Sequence, residues 1–161
     1  MGEKNTPGVK RTARVALGRA PRQSGRMVTI TGTYTGDLHC TSIHGPSGTV
    51  LATDAPKDNQ GRGESYSPTD LVATALATCI ATTMAIVARR HGVELDGLRY
   101  EATKEMSSEP PRRIERLTVK LWMPPSARKV PEGVLEKAAH GCPVHQTLDS
   151  KVEKALEFIW P

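Results

Sequence analysis

Between Asp70 and Arg89 the chain runs through 18 residues, LVATALATCIATTMAIVA at 71–88, without one charge. Both ends of this stretch carry helix signals. Ser67 is a good N-cap, Pro68 suits the first helical position, and Asp70 completes a variant of the capping box. Arg89, Arg90 and His91 fall in the last turn, where positive charge suits the helix dipole, and Gly92 follows as a C-cap. At about 1.5 Å per residue the helix is expected to run about 35 Å. That length approaches a membrane span. Yet six of the 18 residues are Ala and four are Thr, so transfer into lipid would be only weakly favourable. A helix that is apolar all round in a soluble protein is buried. The stretch therefore predicts a central helix packed against a sheet or a second copy of the chain, with no membrane anchor.

The flanking sequence supplies the walls. Residues 27–54 are rich in Thr, Val, Ile and Tyr and are broken by Gly-Pro-Ser-Gly at 45–48. They read as three strands with a tight turn between the second and third. Residues 55–66 read as a loop. Residues 98–106 and 114–123 alternate apolar with charged side chains, the pattern of a hairpin of half-buried strands. A short helix is expected over 131–139, and a helix start after Cys142. For 151–159 the spacing of Val152, Ala155, Leu156 and Ile159 favours a helix. A chain of 161 residues fits one domain. Its aromatics make up only 4%, so Ala, Val and Leu must do most of the packing.

The net charge of +5 is unevenly placed. Lys4, Lys10, Arg11, Arg14, Arg19, Arg22 and Arg26 lie in a stretch with no acidic residue before Asp37. Without this segment the chain is near neutrality, so the charge does not point to a nucleic-acid surface. Residues 1–26 read as a disordered basic tail, with an organelle transit peptide as the rival reading, and 27–161 as one folded domain. No apolar stretch follows the first residues, so no secretory signal is expected. Three widely spaced cysteines are not a secreted disulfide framework. They suit a reducing, cytoplasmic setting.

Two of these thiols invite chemistry. Cys142 precedes Pro143 at a helix start, where free N–H groups favour thiolate over thiol, and His145 lies one turn on. The same residue equally reads as a structural cysteine in a turn. Cys79 sits mid-helix among small residues, where cysteine behaves as a small hydrophobe unless a cation or donor reaches it. Cys40, beside His39, reads as packing. His140, Cys142 and His145 have tolerable metal-ligand spacing, but no fourth ligand and no paired CxxC occur, so no metal site is assigned. No glycine-rich phosphate loop follows a strand.

In combination the two cysteine segments are more specific. GESYSPTDLVATALATC at 63–79 and GCPVHQTL at 141–148 together resemble the OsmC/Ohr family of hydroperoxide-reducing proteins, from about Tyr34 to Trp160. The resemblance implies an α+β fold in which antiparallel sheets wrap around long buried central helices in an intertwined homodimer. It makes 151–159 a strand rather than a helix. It also implies a thiol-dependent peroxidase for organic hydroperoxides, with Cys79 as the attacking thiol and Cys142 as its resolving partner. An external thiol or dithiol would be the reductant. No metal, haem or flavin is implied.

The hydroperoxide-resistance branch carries a glutamate near the start of the helix and an arginine in the early strand turn. Here Thr69 occupies the first position, and His44-Gly45-Pro46-Ser47-Gly48 forms the turn. Arg62, Glu64, Asp70 and His145 are the candidates to activate Cys79 instead. The rival functions are a non-enzymatic dimer holding a small apolar ligand and a thiol redox sensor.

Overall fold

The computed structural model describes residues 27–161. The reading of 1–26 as a tail lies outside the described residues. Three strands, β1 (Ile30–Gly36), β2 (His39–His44) and β3 (Val50–Thr53), form an antiparallel sheet in that order. The loop at 55–66 folds back on the end of β3, where Ser65 Oγ donates to the Ala52 carbonyl at 2.9 Å. Its close path requires glycine at 61, because a Cβ there would lie 1.7 Å from the Ala55 carbonyl oxygen. Buried Asp54 ties the loop together by accepting the Glu64 N–H at 2.9 Å and donating its own N–H to the Tyr66 carbonyl at 3.1 Å.

The central helix α1 (Pro68–Arg90) begins where its sequence signals place it. The Ser67 hydroxyl accepts the Asp70 N–H at 3.1 Å, and the Asp70 carboxylate accepts the Ser67 N–H at 2.7 Å. Satisfying two otherwise orphaned donors in this way fixes the first turn. At the far end His91 is the cap, and Gly92 follows at φ +69°, a left-handed conformation that favours glycine. One face of α1, Ala73, Leu76, Ala77, Ile80, Met84 and Ala88, is buried within the chain. The opposite face is open and uncharged: Ala75, Thr82 and Ile86 are exposed there. The helix satisfies the length and hydropathy of a membrane span, yet its buried face is the centre of the core.

The second sheet holds β4 (Arg99–Met106), β5 (Ile114–Trp122) and β6 (Glu153–Ile159). Leu117, Val119 and Leu121 of β5 point into the core. β4 and β5 are the expected hairpin, whereas β6 runs parallel to β5, so this sheet is mixed rather than wholly antiparallel. A parallel pair needs a crossover. Residues 123–152 supply it, carrying α2 (Val134–His140) and α3 (Pro143–Thr147) across α1.

β6 is a strand as the family resemblance implies, against the helical spacing read from its residues. Leu156, Phe158 and Trp160 pack on the core at period two. Lys154 interrupts the same row, its ammonium turned to the Leu148 and Asp149 carbonyls.

The first sheet is unlike the second in one respect. Among the described residues it buries almost none of its apolar side chains: Ile30 is 64% exposed, Tyr34 62% and Val50 61%.

Candidate active site

Cys79 lies near the middle of α1, between its buried and open faces, and is half-buried against the core. Cys142 is the N-cap of α3 and is completely buried. The packing of α3 on α1 makes neighbours of the two thiols, 63 positions apart in sequence, close enough for Cys79 to raise the Cys142 thiol. Both are free thiols.

The cap does what the sequence suggests locally, but its electrostatic effect is outweighed. Cys142 Sγ accepts the His145 N–H at 3.2 Å. Even so, burial pushes the Cys142 thiol up, and the His145 N–H only partly offsets this, while neighbouring Cys79 raises it further. The helix start thus acts on Cys142 in the expected direction, through the His145 and Val144 N–H groups, but the net shift favours the thiol. Five helical residues sum to a weak dipole, and complete burial outweighs it.

His145 supplies no positive charge either. Burial lowers its pKa, and His140 and Lys154 lower it further, so the imidazole is neutral at neutral pH. Its Nδ1 is buried without a hydrogen-bond partner among the described residues, and its ring meets His140 edge-on with centroids 5.3 Å apart.

The other three candidate activators are held elsewhere within the chain. Arg62 pairs with Asp37 at 3.2 Å in an exposed contact. Glu64 lies 3.4 Å from His39. Asp70 is bound to the helix cap and to Lys104 Nζ at 2.7 Å. Lys104 also donates to Thr69 Oγ1 at 2.6 Å and to Ser67 Oγ at 3.0 Å. The start of α1 is thus a lysine-centred polar network. This network borders a cleft of about 580 Å³ lined by Tyr66, Asp70, Ala73, Thr74, Ala102 and Lys104.

Sequence reasoning missed Lys104, and a signal for it existed. On β4 it shares the half-buried face with Ala102 and Met106, so period two marks it as a lone lysine on an inward row.

A long helix packed on the second sheet and crossed by two short helices, together with the separate three-stranded sheet, defines an α+β protein. The OsmC-like protein family model matches residues 61–157. The chain belongs to the OsmC-like family.

Solved structures agree. A protein from Psychrobacter arcticus 273-4, described as osmotic stress induced and of the detoxification response, is 34% identical with a TM-score of 0.73. The match covers 82% of this chain and 96% of that one. An organic hydroperoxide resistance protein OsmC from Legionella pneumophila shares the fold at 15% identity, TM-score 0.67, covering 85% and 99% of the two chains. An organic hydroperoxide resistance protein from Elizabethkingia anophelis does so at 16% and 0.67, covering 87% and 100%. No curated protein sequence matches the chain.

Proposed function

We propose that this protein is a cytoplasmic thiol-dependent peroxidase that reduces organic hydroperoxides in a two-cysteine cycle. The proximity of Cys79 and Cys142, one half-exposed and the other sealed, carries the reading. An attacking sulfur must be reached by the peroxide, and a resolving sulfur need only reach the first. The Cys79 thiolate attacks the outer oxygen of ROOH, the O–O bond breaks, and the alcohol leaves with a proton. Cys79 is left as the sulfenic acid. The Cys142 thiol then attacks that sulfur, the pair closes as a disulfide and water departs. Two equivalents of an external thiol, or one dithiol, restore both cysteines by exchange.

The reading includes a homodimer. The uncovered first sheet and the uncharged open face of α1 are the surfaces a second copy would bury. Arg62 is the candidate cation for Cys79 across that contact. Its exposed pair with Asp37 is of a kind worth about 1 kcal/mol or less, so it can be given up for a thiolate.

The experiment is consumption of cumene hydroperoxide by the purified protein with a dithiol reductant. Cys79→Ser should abolish it, and turnover that survives this change sinks the assignment. Arg62→Ala should slow turnover, with Arg62→Lys keeping part of it.

A second reading, a non-enzymatic dimer holding a small apolar ligand, draws on Thr69. Its hydroxyl is bound by Lys104 where the hydroperoxide-resistance branch has a glutamate. Peroxide-inert protein would favour it.

A further inference from the structure

We infer that His39, Asp54 and Glu64 form a binding site for a divalent transition-metal cation such as Zn²⁺, separate from the two-thiol site. The three residues come from the start of β2, the end of β3 and the loop before α1. One ligand atom from each lies within 4.8 Å of the others. His39 Nε2 is 3.6 Å from Asp54 Oδ1 and 3.4 Å from Glu64 Oε2. Those separations are long for hydrogen bonds. They match the edge of a tetrahedron around a metal with bonds of about 2.1 Å, which is about 3.4 Å.

The hydrogen bonding points the same way. His39 Nδ1 is 2.7 Å from the Asp37 carbonyl oxygen. A carbonyl only accepts, so Nδ1 carries a proton, and Nε2 is the ring nitrogen left to serve as a metal ligand. That nitrogen faces two carboxylate oxygens. Donating the distal ring N–H to a backbone carbonyl is how metal-binding histidines are held in orientation.

Asp54 supplies the independent observation. Its side chain is wholly buried. Its Oδ2 accepts the Glu64 N–H at 2.9 Å, while Oδ1 has no hydrogen-bond partner among the described residues. A buried carboxylate oxygen without a donor, aimed at two other ligand atoms, is a vacancy that a cation satisfies. Glu64 is 59% exposed, which leaves the remaining coordination position open to water. One imidazole and two carboxylates suit borderline divalent ions rather than thiolate-seeking ones. Bound there, the ion would staple the 55–66 loop to the first sheet.

The test is titration of the full-length reduced protein with Co²⁺, read by its visible spectrum, in wild type and variants. The expected result is one Co²⁺ per chain with ligand-field bands and no thiolate charge-transfer band. Glu64→Gln and His39→Ala should each weaken binding tenfold or more. The triple variant Cys40→Ser/Cys79→Ser/Cys142→Ser should bind as wild type does. Glu64 is at the surface, so its variant keeps the fold and the result readable, with circular dichroism as the check. Absence of saturable binding would overturn the assignment. So would binding indifferent to Glu64 and His39, or binding lost in the triple variant. None of these results bears on peroxide turnover, so the two readings stand or fall separately.

Discussion

Cys142 caps α3 through its own sulfur, accepting the His145 N–H at 3.2 Å, and that same sulfur is the buried partner of Cys79. One atom therefore serves both a structural bond and the proposed redox step. Forming a disulfide would cost that sulfur some of its capping geometry, and reduction would restore it.

Cys142→Ser is expected to keep the cap and lose the resolving thiol. The variant should react once with cumene hydroperoxide and then stall. Intact-mass spectrometry should find Cys79 as sulfinic or sulfonic acid after excess peroxide, where the wild type shows a disulfide two mass units lighter than the dithiol. Sustained turnover by this variant would exclude Cys142 as resolver.

Alkylation should be ordered. At neutral pH iodoacetamide is expected to modify Cys79 before Cys142, because Cys142 is buried and held as a thiol. Peptide mapping after brief labelling checks this, and equal labelling of the two would contradict the buried geometry.

The Lys104–Asp70 contact predicts an acid limb of stability. Burial works against the Asp70 carboxylate, but bonds from Lys104 and Ser67 outweigh it and leave its pKa below the usual value. A depressed carboxylate contributes stability above its unfolded pKa of about 3.9. The contribution drains away as pH falls from there through the lower native value. Asp70→Asn should be less stable than wild type at pH 7, and the gap should narrow on acidification below pH ~4. Urea melts at both pH values would measure it, and a gap that widens in acid would refute the sign.

Leu76 is wholly buried at the contact of α1 with the rest of the core. Leu76→Ala should cost about 2–5 kcal/mol. Ala75→Ser, one residue along on the open face, should cost under about 0.5 kcal/mol in an isolated chain. Chemical denaturation of the pair separates the two faces of the helix.

Assembly can be tested on the same face. Ile86 is 54% exposed on the uncharged side of α1. Sedimentation should give twice the chain mass of 17.4 kDa for the wild type, and Ile86→Glu should shift the protein toward monomer.

Local signals were the most legible part of this sequence. The ends of α1 were readable because caps are made by residues three positions apart, as Ser67 and Asp70 are. β6 was not, because its partner β5 is some forty positions upstream and nothing in its own residues reports that pairing. Lys154 sits in its inward row and breaks the alternation of Leu156, Phe158 and Trp160. The nearness of Cys79 and Cys142 was implied only by the family resemblance that their two motifs carry together, not by either segment alone. The shift of Cys142 toward thiol was hidden, because burial is a property of the crossover and not of the helix start. His39, Asp54 and Glu64 escaped for a similar reason: turns and a folded loop bring them together, with no fixed spacing to announce them.

The sheet of β1, β2 and β3 has a final consequence. Among the described residues, a layer that leaves this much apolar surface uncovered gains little stability from the core around α1. Where the proposed second copy closes over it, dilution alone should loosen this half of the protein and leave the half around α1 intact. Its melting temperature should climb with protein concentration, as that of a self-sufficient fold does not.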